Sequence, residues 1–169
     1  MNGAETDKLL CKIAQGDNTA FEQLYLKTRR GVYAFLYSYL KNVHDTEDAM
    51  QTVYLKVKMY ITSYQKGTNG RAWLLQIAKN HALTLLNQKK EERPVLEEAK
   101  YYSPLSGEIS DAMQRALSDE EIRIVVLHIL WGYKHREIGK IIGSPTGTVT
   151  SKYKRAIEKV RKELKEVGE

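Results

Sequence analysis

Cysteine is all but missing from this 169-residue chain: Cys11 stands alone, so no internal disulfide can form. The four histidines, His44, His81, His128 and His135, are far apart in sequence. No Cys/His pair has the spacing of a zinc site, and no metal is expected. Long apolar runs are lacking as well. None approaches the roughly 20 residues of a membrane span, and the N-terminal MNGAETDK has no apolar export segment, so a cytosolic protein without membrane insertion is expected. There is no glycine-rich phosphate loop and no grouping of nucleophile, base and orienting residue, so neither a catalytic residue nor a cofactor is expected and an enzyme is the least favoured class. No stretch alternates apolar and polar residues as a half-buried strand does, and no repeat is found.

What is present is helical periodicity and an uneven excess of positive charge. Residues 1–90 carry 13 basic against 7 acidic side chains, residues 91–117 carry 3 against 6, and residues 118–169 carry 11 against 8. Two basic blocks flanking an acidic connector point to two polyanion-facing surfaces. Leu9, Leu10 and Ile13 mark a first helix that Gly16 ends. Phe21, Leu24, Val32, Phe35, Leu36, Tyr39 and Leu40 mark a long second helix starting near the capping candidate Asn18. Asp45 is expected to open a third, with Ala49, Met50, Val53 and Val57 inward and Asp48, Gln51 and Lys58 outward. A fourth is expected over 71–90, with Trp73, Leu74, Ile77, Ala78 and Leu85 as its apolar stripe. Residues 91–108 hold charge runs and two of the three prolines and read as a linker. Ile109, Ala112, Met113, Ala116 and Leu117 follow on a further helix. Ser118 and Glu121 then form a capping box ahead of Ile122, Val125, Val126, Ile129 and Leu130. The fold class is all-α: two small helical domains, 1–90 and 109–169, on a flexible tether.

The strongest local pattern lies at the C-terminal end. Ile138, Ile141 and Ile142 give a short helix one apolar face, and Gly143 stops it. Ser144 is a candidate N-cap with Pro145 at the first position of the next helix. That helix keeps Val149, Ala156, Val160 and Leu164 inward. Thr148, Ser151, Lys152, Lys154, Arg155, Lys159 and Lys162 lie on the other side, as suits a helix laid in a DNA major groove. The alternative is an amphipathic helix with a solvated basic face. About twenty extended residues between the domains reach on the order of 60 Å at 3.3 Å each. The two domains can therefore grip two sites on one duplex separated by a couple of helical turns.

These segments, in this order, resemble a known family, the extracytoplasmic-function group of sigma-70 factors of bacterial RNA polymerase. DTEDAMQTVYLKVKMY resembles the segment that docks on the polymerase clamp helices, RAWLLQIAKNHALTLLNQKK the promoter-melting, −10-reading helix, and Ala116 to Leu164 the −35-reading domain. The resemblance implies that 1–90 is sigma region 2 and 109–169 is region 4. It also implies core RNA polymerase, promoter DNA in duplex and single-stranded form, and an anti-sigma factor as partners. Asp48 and Gln51, three apart on one helix face, with Asp45 and Glu47 beside them, would accept hydrogen bonds from polymerase arginines. Their alternative role is helix-dipole and capping chemistry. The polar loop with Tyr64, Gln65, Lys66, Thr68, Asn69 and Arg71 looks like the family's base-capturing loop. Lys79, Asn80, Asn87, Lys89 and Lys90 follow on a helix whose amides can read bases and whose amines can hold the strand. Trp73 belongs to the apolar stripe and is expected in the core.

In the −35 reader the resemblance points to Thr150, Ser151, Lys154 and Arg155 at base edges, with Arg155 able to grip a guanine bidentately, and to Lys152 and Lys159 at phosphates. The chain departs from the family at Thr52, where an acidic residue is common, and at Thr84 and Asn87, where Asp and Arg are. It departs again at Thr150, where relatives often carry Arg or Lys, and at Gly139, where Ala is usual. Close helix packing or drift would each account for Gly139. A stand-alone helix-turn-helix regulator that binds duplex DNA without polymerase remains the alternative, and a helical interaction module is a third reading.

Overall fold

A computed structural model describes the backbone of residues 3–91 and 107–167 and the side chains of 3–88 and 107–166. Residues 92–106 of the expected linker, and the side chains of Lys89 and Lys90, lie outside that description. Every regular element among the described residues is a helix, and the chain divides into two compact units, Met1–Tyr101 and Tyr102–Glu169.

The first unit is built around one long helix. α1 (Gly3–Ala14), α2 (Asn18–Leu40), α3 (Val43–Tyr60), a 3-10 turn (Ile61–Ser63) and α4 (Gly70–Glu91) follow in order, and α2 packs against the other three helices. Its Leu24, Val32, Phe35 and Leu36 are fully buried with Leu10 of α1, Val53 and Val57 of α3 and Leu74 and Ala78 of α4. The cap of α2 is Asp17 rather than Asn18: the Asp17 carboxylate accepts the Ala20 N–H at 2.9 Å. α3 likewise opens two residues before Asp45. Asn42 is the cap and accepts the Asp45 N–H at 3.0 Å, which leaves Asp45 in the first turn. Both shifts have one cause, a neighbouring Asx residue in extended backbone whose side-chain oxygen reaches the free N–H two or three residues on. One buried polar pair ties α2 to α3. The Thr28 hydroxyl donates to the Leu24 carbonyl at 2.6 Å, so its lone pair accepts from the Tyr54 hydroxyl at 2.6 Å. Burial pushes the Tyr54 phenol well above its ordinary range, so it stays a donor.

The second unit holds α5 (Glu108–Ala116), α6 (Asp119–Ile129), α7 (His135–Ile142) and α8 (Thr146–Val167). α8 carries the packing, against α5, α6 and α7 in turn. The capping box at the start of α6 is complete, with the Ser118 N–H on the Glu121 carboxylate at 2.9 Å and the Glu121 N–H on the Ser118 hydroxyl at 3.4 Å. Ile109 and Ile129, expected in the apolar stripes, are 63% and 59% exposed because they sit in the first turn of α5 and at the last residue of α6, where a helix end meets solvent.

The turn between α7 and α8 is tighter than its sequence suggests. Gly143 takes the left-handed conformation at φ +76°, and the Ser144 N–H returns to the Gly139 carbonyl at 2.9 Å. A Cβ on Gly139 would lie 2.5 Å from the Ser144 carbonyl oxygen, so close packing, not drift, accounts for this glycine. Ser144 does not cap α8. Its hydroxyl donates across to Glu120 at 3.2 Å, and the Pro145 carbonyl accepts the first helical bond, from the Val149 N–H at 3.1 Å.

Under α8 the rings of His128, His135 and Tyr153 form a triangle with centroids 4.6 to 5.0 Å apart. The Thr150 hydroxyl donates to the Thr146 carbonyl at 3.0 Å, so it accepts from His135 Nδ1–H at 3.0 Å, while His135 Nε2 is buried without a partner. His128 donates Nδ1–H to the Tyr133 carbonyl at 2.9 Å. Burial, then the neighbouring His128 and Lys154, hold the His135 pKa below its ordinary 6.5.

Two outcomes follow. Ala is favoured over Gly in a helix by about 1 kcal/mol, but overpacking against a backbone carbonyl costs about 1–3 kcal/mol. Gly139→Ala should therefore lower the melting temperature, and an unchanged or raised one would mean that the turn yields freely. His135 is neutral in the folded unit, and its unfolded form takes up a proton near pH 6.5. It therefore contributes stability above that pH that is lost as pH falls through its lowered folded value. Hydrogen exchange of α7 and α8 amides should quicken from pH 7 to pH 5 relative to the intrinsic rate, and less so in His135→Gln; equal acid sensitivity in both would remove His135 from the account.

Candidate nucleic-acid interface

On α3 the outward face changes character along its length. Glu47, Asp48 and Gln51 are exposed near the N-terminal end, and Asp45 is half-buried. At 100° per residue Asp48 shares a line with Leu55 and Met59, which are 61% and 69% exposed. The face thus joins an acidic end to an uncovered apolar pair. The apolar half went unnoticed in the sequence, although the same helical phase that groups Asp48 with Gln51 reaches it.

The loop after α3 is more ordered than its polar composition suggests. Tyr64 and Trp73 are half-buried with ring centroids 5.2 Å apart, so the tryptophan expected in the core lies at its margin. The Tyr64 hydroxyl donates to the Asp7 carboxylate of α1, which also accepts the Gly67 N–H at 3.1 Å. Burial, then that bond, push the Tyr64 phenol up to about 12. Asn69, expected to meet bases, uses its side-chain oxygen to accept the Ala72 N–H at 3.2 Å at the start of α4. Gln65, Lys66 and Thr68 are exposed, and Arg71 is half-buried.

Along α4, Gln76, Asn80, Thr84 and Asn87 are exposed at spacings of three and four, which makes an uncharged amide and hydroxyl strip. Gln76 donates to the Asn80 amide oxygen at 2.7 Å, and the Thr84 hydroxyl to the Asn80 carbonyl at 2.9 Å. Lys79 is half-buried beside this strip. On the helix's other flank Lys56 of α3 donates to His81 Nδ1 at 3.2 Å, and burial followed by that charge lowers the His81 pKa.

On α8 the outward stripe is Thr148, Ser151, Lys154 and Arg155, all exposed. Ser151 donates its hydroxyl hydrogen to the Gly147 carbonyl at 2.9 Å and presents a lone pair outward. Three expected groove or phosphate contacts are engaged elsewhere. Thr150 is half-buried against His135. Lys152 and Lys159 lie on the flank facing α6, paired with Glu120 and with Glu121, the latter at 2.9 Å to both carboxylate oxygens. The reason is charge: two carboxylates at the start of α6 sit within reach of two lysines seven apart and pair with them. The Lys152 ammonium, with the Ser144 hydroxyl, lowers the Glu120 pKa. Burial works against the Glu121 carboxylate, yet Lys159 and the Ser118 N–H outweigh it and its pKa is lowered too. Nothing in the local sequence pairs residues 32 and 38 positions apart.

The surfaces of the first unit fall inside a match to the sigma-70 region 2 family over residues 24–92. Across nearly its whole length the chain is similar to two curated proteins. It is 26% identical to the ECF RNA polymerase sigma factor SigW of Bacillus subtilis, covering 95% of this chain and 97% of that one. It is 27% identical to the RNA polymerase sigma factor CarQ of Myxococcus xanthus, covering 92% and 95%. The fold is shared with the sigma factor RpoE of Bartonella quintana, solved with the anti-sigma factor NepR, at a TM-score of 0.65 and 23% identity over 86% of this chain and 96% of that one. It is shared also with CnrH, solved with the cytosolic domain of CnrY, at a TM-score of 0.62 and 17% identity over 95% and 97%. A region 2 match outside the helix-turn-helix favours a sigma factor over a stand-alone regulator, and over nearly its whole length the chain is similar to RNA polymerase sigma factors, the ECF factor SigW among them.

Proposed function

We propose that this chain is an alternative sigma factor that binds core RNA polymerase in the cytoplasm, directs it to a two-part promoter and helps open the −10 region. The observation that carries the reading is the presence, in one chain, of a region 2 match and an exposed Thr148–Ser151–Lys154–Arg155 stripe on α8. In this reading Asp48 and Gln51, with Glu47, accept hydrogen bonds from basic residues of the polymerase, and Leu55 and Met59 extend the contact with apolar area. The 64–71 loop and the α4 strip of Asn80, Thr84 and Asn87, with Lys79 beside it and Lys89 and Lys90 later in the same helix, receive the melted strand; an amide strip in place of a charged one favours base-edge contacts over phosphate grip. On α8, Arg155 reads a guanine and Lys154 and Ser151 its neighbours. An anti-sigma factor that covers Leu55 and Met59 would compete with polymerase for one face and hold the protein inactive.

Transcription in vitro with core polymerase and a promoter library tests the reading: start-site selection above core alone is expected, and its absence defeats the proposal. Asp48→Arg should cut core-dependent initiation about tenfold or more without altering the fold. Arg155→Ala should weaken upstream-element discrimination by about 1–3 kcal/mol. Glu120→Gln gives a test of opposite sign. It frees Lys152, so binding of the reconstituted holoenzyme to upstream duplex should tighten at low salt, with a log–log salt slope steeper by up to about 0.9. An unchanged slope would place Lys152 away from the phosphates.

A further inference from the structure

α1 lies outside the residues matched to region 2, yet it reaches into the loop after α3. One carboxylate oxygen of Asp7 accepts both the Tyr64 hydroxyl and the Gly67 N–H, the latter at 3.1 Å, from 57 and 60 residues away. Gly67 sits at φ +83°, and the Thr68 hydroxyl and N–H both turn back to the Gln65 carbonyl, at 2.7 and 3.3 Å. The loop is thus a closed turn with Asp7 at its mouth. Its far end is fixed to the same helix: a Cβ on Gly70 would lie 3.0 Å from the Asp7 backbone nitrogen and 3.0 Å from a Leu10 methyl, so α4 begins in direct contact with the α1 backbone. Asn69 spends its side chain on the α4 start, and Tyr64 rests on Trp73. What remains outward at the turn is Gln65, Lys66 and Thr68.

We propose that Asp7 is a positioning residue for single-strand capture: by holding Tyr64 and Gly67 it presets the turn on which Gln65, Lys66 and Thr68 meet an unstacked strand. The inference rests on the base-capture role proposed for this loop. A loop already held in its bound shape does not have to be ordered when the strand arrives, and the gain appears in binding of unpaired DNA alone. Asp7 touches no nucleotide in this account, and its effect passes through Tyr64 and Gly67.

The test uses holoenzyme reconstituted from core polymerase and the full chain. The templates are built on a promoter that the wild-type holoenzyme transcribes: a fork, duplex upstream with a single non-template strand through the −10 region, and the same sequence fully paired. Asp7→Ala should weaken fork binding about tenfold, the loss of two hydrogen bonds, and leave core binding and duplex binding within twofold of wild type. Asp7→Asn, whose amide oxygen still accepts both donors, should recover most of the loss, and Tyr64→Phe, which deletes one donor, should show part of it. Fork binding by Asp7→Ala within twofold of wild type overturns the positioning role. So does a loss that Asn does not rescue or that core binding shares, since Asp7 would then matter only for folding. If the wild-type holoenzyme itself shows no preference for the fork, the base-capture reading fails and takes the proposal with it.

Discussion

Burial of a central helix against its neighbours is the constraint on which both halves of this molecule depend. A unit of this size buries a limited core, and no disulfide supplements it. In the first unit the core is the run of Leu24, Val32, Phe35 and Leu36 on α2, against which α1, α3 and α4 lay their apolar stripes. In the second, Val149, Ala156 and Val160 on α8 do the same for α5, α6 and α7. The helices laid on α2, and α8 in the second unit, are anchored along one side and present the opposite side in a fixed phase. That is why the outward sets on α3, α4 and α8 fall in lines at spacings of three and four rather than as scattered charges.

Electrostatics then sorts the basic residues into two kinds. A net charge of +6 suggests a general attraction to polyanions, but part of that charge is committed internally. Lys27 pairs with Glu5, Lys152 with Glu120, Lys159 with Glu121 and Arg115 with Glu163. Apart from Lys159–Glu121, whose carboxylate is buried, pairs this exposed contribute little to stability. Their larger effect is on the surface charge: on α8 the exposed Arg155 and Lys154 stand beside lysines that α6 carboxylates neutralise, so the uncompensated basic stripe is narrower than its composition implies.

Fold class, the number of helices and most inward positions were legible because they rest on a 3.6-residue period that needs no knowledge of tertiary structure. The helix-turn-helix was legible for the same reason, and Gly143 behaves as its sequence position suggests. Caps were read one to three residues out of place at Asn18, Asp45 and Ser144, since Asp17 and Asn42 stand close by with the same chemistry and Ser144 finds a longer-range partner in Glu120. Long-range partners were not legible at all. Asp7 on the 64–67 turn, Glu120 and Glu121 on the α8 lysines, and the His128–His135–Tyr153 triangle are set by how helices cross, and a one-dimensional pattern carries no record of that. Leu55 and Met59 are a different case: they share the helical phase of Asp48, but periodicity alone does not say that an apolar pair on that phase stays uncovered.

The approach of Gly139 to the Ser144 carbonyl couples two positions on either side of the helix-turn-helix bend. A replacement of α8 that shifts the bend would move that carbonyl relative to an α7 that has no room for a methyl group at 139. The shape of the bend is therefore fixed by α7 and α8 together, and residue 139 is held to glycine by a backbone atom whatever side chain stands at 144.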